Sequence, residues 1–206
     1  MSHTAILDAI LATLARPDAP RRYILGLAGT PGAGKSTVAQ ALLDALPGRA
    51  ALVPMDGFHL ANEELERLGR RGRKGAEDTF DGAGYVALLR RLRQPAPGEV
   101  VYAPTFRRAI DAAEAGAIAV PEAVQLVITE GNYLLLDHGP WAAVRSLLDQ
   151  SWYIDIDPVL RRQRLVARHM HFGRSAEAAL AWVIGTDEPN ALLIEASRAR
   201  ADHVLR

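Results

Sequence analysis

Residues 29–37 form a glycine-rich loop that restricts the choice of fold, with the sequence Gly29-Thr30-Pro31-Gly32-Ala33-Gly34-Lys35-Ser36-Thr37. The loop matches the pattern G-x-x-x-x-G-K-[ST], in which backbone N–H groups surround phosphate oxygens. An apolar stretch at 23–28 predicts a buried strand before the loop, and apolar residues at helical spacing over 34–46 predict a helix after it. Both flanks argue against a glycine-rich turn with an incidental lysine, and they indicate an α/β protein.

Each residue type in this loop suits the phosphates of a nucleoside triphosphate. The glycines let the backbone curve closely around phosphate, Lys35 places a positive charge beside it, and the Ser36 hydroxyl is a ligand for Mg²⁺. The loop also opens onto a helix N-terminus, where anions are favoured. We therefore predict ATP and Mg²⁺ as cofactors, with all residues from 29 to 37 in contact with the nucleotide.

The composition indicates a protein whose partner is a small molecule. The chain has 206 residues, of which 49% are hydrophobic, and this suits one domain that buries about 70% of its unfolded surface. Lys plus Arg equals Asp plus Glu at 24 each, so no overall field attracts nucleic acid or an anionic membrane. The absence of cysteine excludes disulfides, thiolate zinc sites and a cysteine nucleophile, and it agrees with a reducing cytosol.

The sequence contains no apolar run near the roughly 20 residues that a membrane span requires. Residues 5–14 carry an acid within their apolar stretch and lack a basic segment, so they predict an amphipathic helix rather than a secretory signal. We therefore expect a cytoplasmic location without a membrane partner. For the oligomeric state, the only guide is that homodimers are the commonest assemblies.

Alternating strands and helices predict a three-layer P-loop NTPase fold, in which helices cover both faces of a five-stranded parallel sheet. We predict one domain over 1–206, with a connector at 17–20 and substrate-side insertions at about 57–81 and 98–121, the second an irregular hairpin. The predicted strands lie at 23–28, 51–55, 124–129, 151–156 and 201–205. The predicted helices lie at 34–46, 60–68, 82–93, 140–149, 158–170, 175–185 and 188–199.

Two acidic residues follow predicted strands, at the sheet edge where ligands of open α/β sheets bind. Asp56 ends the second strand and can accept a proton from a hydroxyl that attacks phosphorus. Its alternative role is a helix cap or a turn, since Asp-Gly is a common turn sequence. Glu130 ends an apolar strand as a Walker B acid does and is predicted to reach Mg²⁺ and the substrate. Its alternative role is a buried partner for Lys35.

Arginines recur along the helix predicted after Asp157-Pro158. Arg161, Arg164 and Arg168 have the spacing of one helix face and are candidates for binding ATP and neutralising the transferring phosphate. The alternative is a solvated arginine face. His169 and His171 are two residues apart on the same helix, which is a poor arrangement for a metal site.

The loop Gly69-Arg70-Arg71-Gly72-Arg73-Lys74-Gly75 is strongly basic. Glutamates precede it and no stacking aromatics are interleaved with it, so we predict a polar or anionic small substrate here rather than nucleic acid. Lys74 is therefore a candidate substrate ligand. The remaining candidates, which could equally be ordinary surface or core residues, are His59, Tyr102, Arg107 and Arg108.

Taken together, these segments resemble the phosphoribulokinase, uridine kinase and pantothenate kinase group of P-loop small-molecule kinases. The resemblance rests on the P-loop, Asp56-Gly57-Phe58, Arg73-Lys74-Gly75 with Thr79-Phe80-Asp81, Tyr102-Ala103-Pro104 and Glu130-Gly131. The segments at 55–59, 128–135 and 199–202 are most similar to bacterial proteins described as fructose transport system kinases or nucleoside/nucleotide kinase family proteins.

The resemblance implies an ATP:alcohol phosphotransferase with Asp56 as base, Lys35 and arginines on phosphate, and Ser36 with Glu130 near Mg²⁺. It also implies that the region 187–190 and Arg198 lie near the adenine. We expect the acceptor to be a sugar such as fructose, with pantothenate or a nucleoside as alternatives. A P-loop ATPase that acts as a regulatory switch is the alternative from another class, and a non-catalytic binding module is a third.

Overall fold

A computed structural model of the protein describes residues 3–14 and 22–206, and the connector predicted at 17–20 lies outside them. Its strands are β1 (Tyr23–Ala28), β2 (Ala50–Leu52), β3 (Val101–Arg107), β4 (Ala112–Val120), β5 (Leu126–Gly131), β6 (Gln150–Ile154) and β7 (His203–Leu205). Five of these strands form a parallel sheet in the order β2-β5-β1-β6-β7. The predicted α/β fold with a five-stranded parallel sheet is confirmed.

The helices are α1 (His3–Leu14), α2 (Lys35–Ala45), α3 (Asn62–Arg67), α4 (Gly82–Arg93), α5 (Pro158–His171), α6 (Ala176–Trp182) and α7 (Glu188–Ala196). The helix predicted at 140–149 is wrong, because two short 3₁₀ turns, Gly139–Ala143 and Arg145–Leu147, occupy this stretch. These tight turns place Trp141 against the rings of Phe80, Tyr85 and Tyr133. The helices predicted at 175–185 and 188–199 are joined by a π-helical turn, Val183–Asp187.

The hydrophobic core lies on both faces of the sheet. Ile10 of α1 and Leu42 of α2 pack on one face with Leu25 and Ile128, whose side chains are fully buried. On the other face, α4 and the 3₁₀ turns pack against Ile24. Strands β1 and β5 are apolar along most of their length because neighbouring strands and helices surround them.

The register of β1 and β5 brings the phosphate-binding loop and Glu130 together. Leu27 pairs with Glu130 and Ala28 pairs with Gly131, so both strands end at the same level of the sheet. The loop at 29–34 leaves the end of β1 and enters α2. This pairing places Glu130 beside the first turn of α2.

The two insertions predicted from the sequence form separate structures above this edge. Strands β3 and β4 make an antiparallel hairpin with an irregularity between Ala103 and Thr105, as expected. The stretch at 57–81 contains α3 and 3₁₀ turns, and an isolated bridge between His59 and Phe80 closes it. Among the described residues, no helix has the length and apolarity needed to cross a membrane.

Gly57 packs closely against the backbone of β3 at Pro104. A Cβ atom added at Gly57 would lie 2.5 Å from the carbonyl oxygen of Pro104, and this backbone atom cannot move independently of β3. We expect Gly57→Ala to lower the free energy of unfolding by about 1–3 kcal/mol. Denaturant unfolding measures the change. Gly72→Ala is the matched control, since nothing lies within 4 Å of that site; equal losses in both variants would contradict the prediction.

Candidate active site

A cleft of about 1080 Å³ lies at the carboxyl ends of the parallel strands. It is the expected position for a ligand site in an open α/β sheet. The phosphate-binding loop, the 3₁₀ turn Met55–Phe58, the end of β5, the hairpin tip and α5 all contribute to its wall. The charged residues that line it include Lys35, Asp56, Arg71, Lys74, Arg108, Asp111, Glu130, Asp155, Arg164, Arg168, Arg174, Asp187 and Arg206.

The phosphate-binding loop has the backbone geometry that an anion site requires. Gly32 and Gly34 have φ angles of 81° and 96°, which other residues rarely adopt. Gly34 is also the N-cap of α2 and provides no side chain to bond the first N–H groups of the helix. These N–H groups, together with the helix dipole, fit the phosphates of a nucleotide.

Lys35 is held at the centre of the site by three oxygen acceptors. Its Nζ donates to the carbonyl oxygens of Gly29 and Thr30 at 2.8 and 3.0 Å, and to Oδ1 of Asn132 at 2.8 Å. Burial lowers the pKa of Lys35 to about 8, against the opposing effect of Glu130 and Asp56. The ammonium is therefore positioned for phosphate at a cost that a bound anion would reduce.

The lowered pKa of Lys35 predicts that nucleotide affinity depends on pH. Lys35 is charged below pH 8 and becomes neutral above it, and the phosphates of ATP favour the charged form. We expect the Kd of a non-hydrolysable ATP analogue to rise about tenfold from pH 7 to pH 9. Isothermal titration calorimetry at both pH values measures it, with Lys35→Met as the control that should lose the dependence. Equal Kd values for the unmodified protein would contradict the prediction.

Ser36 and Glu130 form the second element of the site. The Ser36 hydroxyl donates to the Glu130 carboxylate, with Oγ 2.8 Å from Oε1 and 3.0 Å from Oε2. Burial raises the pKa of Glu130, while Lys35 and the Ser36 hydrogen bond oppose this rise. A hydroxyl and a carboxylate are hard oxygen donors, so this pair fits Mg²⁺.

Asp56 lies in the 3₁₀ turn that follows β2 and lines the cleft. Its Oδ2 is 3.6 Å from a guanidinium nitrogen of Arg108, at the tip of the hairpin. The backbone oxygen of Asp56 accepts a hydrogen bond from Nδ1 of His59 at 2.8 Å. The His59 ring packs between Phe80 and Phe106, and burial lowers its pKa. Asp56 is thus a carboxylate that lines the cleft beside Arg108 of the hairpin tip.

The three arginines of α5 do not share one environment. Arg164 and Arg168 line the cleft, and burial followed by the neighbouring charge of Arg108 lowers the pKa of Arg168. Arg161 was expected to bind ATP, but its side chain is buried against α7, where it pairs with Glu188 at 2.9 Å. The structure therefore places Arg161 outside the cleft lining.

Two aspartates pair with the four cations of the basic loop at 69–75. Arg70 and Arg73 pair with Asp78, and Arg71 and Lys74 pair with Asp111 at 3.0 and 3.1 Å. Lys74 also donates to the backbone oxygen of Asp111 and to Oδ1 of Asn62, both at 2.6 Å. Lys74 lines the cleft, but these contacts mainly fasten the loop to the hairpin tip.

Two candidate substrate ligands lie elsewhere on the hairpin. The Tyr102 side chain is 56% exposed, and Arg107 pairs with Glu114 across the strands on the surface. Neither residue lines the cleft, whereas Arg108 does. Arg107 is the last residue of β3, whereas Arg108 begins the 3₁₀ turn Arg108–Ile110 at the hairpin tip, so these adjacent cations differ in their access to the cleft.

Asn132 and Asp187 both line the cleft. Asn132 is a site residue that the sequence motifs did not identify. Asn132 follows Glu130-Gly131 and orients Lys35, a role that its position after a strand end could have suggested. Asp187, which the resemblance places near adenine, lines the cleft, and its Oδ2 lies 2.7 Å from Nε2 of His169. Arg198 pairs with Asp155 at 2.8 Å.

The fold and the site define a P-loop nucleotide-binding protein with acidic and basic groups gathered around one cleft. The model of the Phosphoribulokinase / Uridine kinase family matches residues 24–205, and the chain belongs to this family. This membership confirms the resemblance and makes the chain an ATP-dependent small-molecule kinase.

Similar proteins carry different substrate names. A crystal structure described as a "putative fructose transport system kinase" from Silicibacter sp. TM1040 is 39% identical, with a TM-score of 0.91 and full coverage of both chains. "Putative uridine kinase C227.14" of Schizosaccharomyces pombe is 35% identical over 90% of this chain and 83% of that protein. A "Pantothenate kinase" of Limosilactobacillus reuteri is 34% identical over 67% of this chain and 46% of that enzyme.

Proposed function

We propose that this protein transfers the γ-phosphate of Mg-ATP to a hydroxyl group of a small sugar-like molecule, with fructose as the first candidate. One observation carries the proposal: Asp56 and Glu130 face the same cleft as Lys35, Arg108 and Arg168. Phosphoryl transfer requires these parts together, because the enzyme must orient an attacking oxygen and neutralise charge on the phosphate.

Asp56 is the proposed base for the acceptor hydroxyl. A carboxylate beside the attacking oxygen can accept its proton as the new bond to phosphorus forms. Asp56 lies in the 3₁₀ turn Met55–Phe58, with its Oδ2 3.6 Å from the guanidinium of Arg108. Asp56 lines the same cleft as the phosphate-binding loop, and its charge acts on Lys35 and Glu130.

The other charged residues are assigned to the phosphates and the metal. Lys35 bridges the β- and γ-phosphates, while Arg164 and Arg168 approach the transferring group from α5. Ser36 and Glu130 would hold Mg²⁺, directly or through water. Bound at this position, the ion would neutralise phosphate charge during transfer.

Polar side chains on the acceptor side support a substrate that carries several hydroxyl groups. His59 donates from Nδ1 to the Asp56 carbonyl, so Nε2 of the neutral ring is left as an acceptor for a substrate hydroxyl. His59, Lys74 and Arg108 all line the cleft. The description of the 39% identical protein from Silicibacter sp. TM1040 supports fructose as the first acceptor to test.

A screen of ADP release tests this proposal. Steady-state turnover is measured with Mg-ATP alone and with fructose, other sugars, glycerate, pantothenate and nucleosides, in parallel with Asp56→Asn. Strong stimulation by a sugar, lost in the variant, is the expected result. Stimulation by uridine or pantothenate would instead identify that acceptor. A protein that binds ATP but responds to no acceptor would contradict kinase activity and favour a regulatory ATPase.

A further inference from the structure

Two arginines of helix α5, Arg164 and Arg168, line the cleft, and other cations in the cleft repel Arg168. Arg168 is half-buried, and its guanidinium lies in the field of Arg108 at the hairpin tip. Lys35 also repels Arg168 across the cleft. With like charges facing it, α5 needs attachments that hold Arg168 inward.

Asp187 supplies such an attachment. It accepts a 2.7 Å hydrogen bond from Nε2 of His169, the residue directly after Arg168. The two side chains are 17% and 10% exposed, so the contact is shielded from solvent on both sides. Asp187 also opposes the repulsion that acts on Arg168, since its negative charge favours the charged guanidinium.

The contact between Asp187 and His169 lies at an irregular helical turn. Asp187 is the last residue of the π-helical turn Val183–Asp187, between α6 and α7. A π turn holds more residues than an α turn, so it re-aims the side chains around it, and such turns are frequent at functional sites. Aromatic packing surrounds the contact, because Trp182 lies edge-on to His169 and Arg174 stacks over Trp182 at 4.0 Å.

We propose that Asp187 is a positioning residue for phosphoryl transfer: through His169 it fixes α5 so that Arg168 faces the γ-phosphate of bound ATP. This rests on the proposed function, which assigns Arg168 to that phosphate. Asp187 also lines the cleft, and its proposed effect on the γ-phosphate is exerted through His169 and Arg168. Its removal therefore acts on the reaction only through Arg168.

A double-mutant cycle on nucleotide affinity tests the coupling without requiring an acceptor. The measured quantity is the preference for a non-hydrolysable ATP analogue over ADP, which reports contacts to the γ-phosphate. We expect Arg168→Ala to reduce this preference about tenfold and Asp187→Asn to reduce it about fivefold. In the Arg168→Ala background, Asp187→Asn should have no further effect. An equal loss in both backgrounds, or no loss in either, would overturn the proposal.

Glu188→Gln is the matched control for a structural ion pair. It removes the partner of buried Arg161 and so weakens a second contact between α5 and the residues after the π turn. Its effect on the thermal midpoint should resemble that of Asp187→Asn, while the preference for the analogue stays unchanged. A loss of preference with Glu188→Gln equal to that with Asp187→Asn would reduce Asp187 to a general structural role. His169→Ala should reduce the preference for the analogue as Asp187→Asn does. It replaces Asp187→Asn in the cycle if that variant does not fold.

Kinetics with an identified acceptor provide the second readout. We expect Asp187→Asn to lower kcat about tenfold while KM for ATP changes less than about twofold, because Lys35 and the loop still bind the nucleotide. A raised KM for ATP with unchanged kcat would contradict the positioning role. If no acceptor exists, the kinase proposal fails, and the affinity cycle still decides whether Asp187 acts through Arg168.

Discussion

Asp56→Asn is expected to lower kcat about a thousandfold, the largest effect of any single substitution on the acceptor side. The amide has nearly the same shape as the carboxylate but cannot accept the proton of the attacking hydroxyl. It also loses the charge that faces Arg108 at 3.6 Å. The Kd for ATP should change less than about threefold, since Asp56 affects Lys35 through its charge and, among the described residues, forms no hydrogen bond or ion pair with the phosphate-binding loop.

Acceptor-dependent ADP release and calorimetric ATP binding measure these two effects separately. Asp44→Asn is the control for replacing a carboxylate by an amide, because Asp44 is exposed on α2 and accepts a hydrogen bond from Gln40 of the same helix. A kcat reduced less than about tenfold by Asp56→Asn would mean that another group accepts the proton. Loss of ATP binding would instead mean that Asp56 supports the nucleotide site.

Lys35→Met is expected to lower kcat about a hundredfold and to weaken ATP binding as well. Methionine approximates the length of lysine but cannot donate to Gly29, Thr30 and Asn132, which hold the ammonium in place. The charge that would bridge the phosphates is lost in both the ground state and the transition state. Both kcat and the Kd for ATP should therefore change in Lys35→Met, whereas Asp56→Asn should change mainly kcat.

Rapid kinetics and calorimetry with the Lys35→Met variant distinguish the two contributions. Its thermal midpoint should fall only modestly, because the loss of the three hydrogen bonds is offset by removal of a charge whose burial is unfavourable. Near-normal kcat in this variant would contradict the assignment of Lys35 to the transferring phosphate. A strongly lowered midpoint would point instead to loss of the fold.

The sequence predicted the residues whose positions follow from strand ends. Asp56 and Glu130 are predicted because parallel strands end at one edge of the sheet, where polar groups just beyond the strand ends lie near one another, whereas Lys35 is predicted from the pattern G-x-x-x-x-G-K-[ST]. The β1–β5 register brings the end of β1 level with Glu130. Local periodicity and topology were sufficient for this part of the site.

Side-chain contacts between distant segments could not be predicted in this way. Helical spacing placed Arg161 and Arg168 on one stripe, but Glu188 draws Arg161 into the interior. Periodicity identifies residues that share a face, and the packing partner decides where that face lies. The pairing of His169 with Asp187 depends on a π turn, for which the sequence carried no recognised signal.

Direct analysis of the phosphorylated product tests the central claim that this cleft transfers phosphate to a hydroxyl. The protein is incubated with Mg-ATP and the acceptor that stimulates it most, and phosphorus NMR measures the phosphate ester, ADP and inorganic phosphate. We predict one equivalent of ester for each ADP, little inorganic phosphate, and neither product with Asp56→Asn. Release of inorganic phosphate in step with ADP, without ester, would contradict the claim and identify an ATPase.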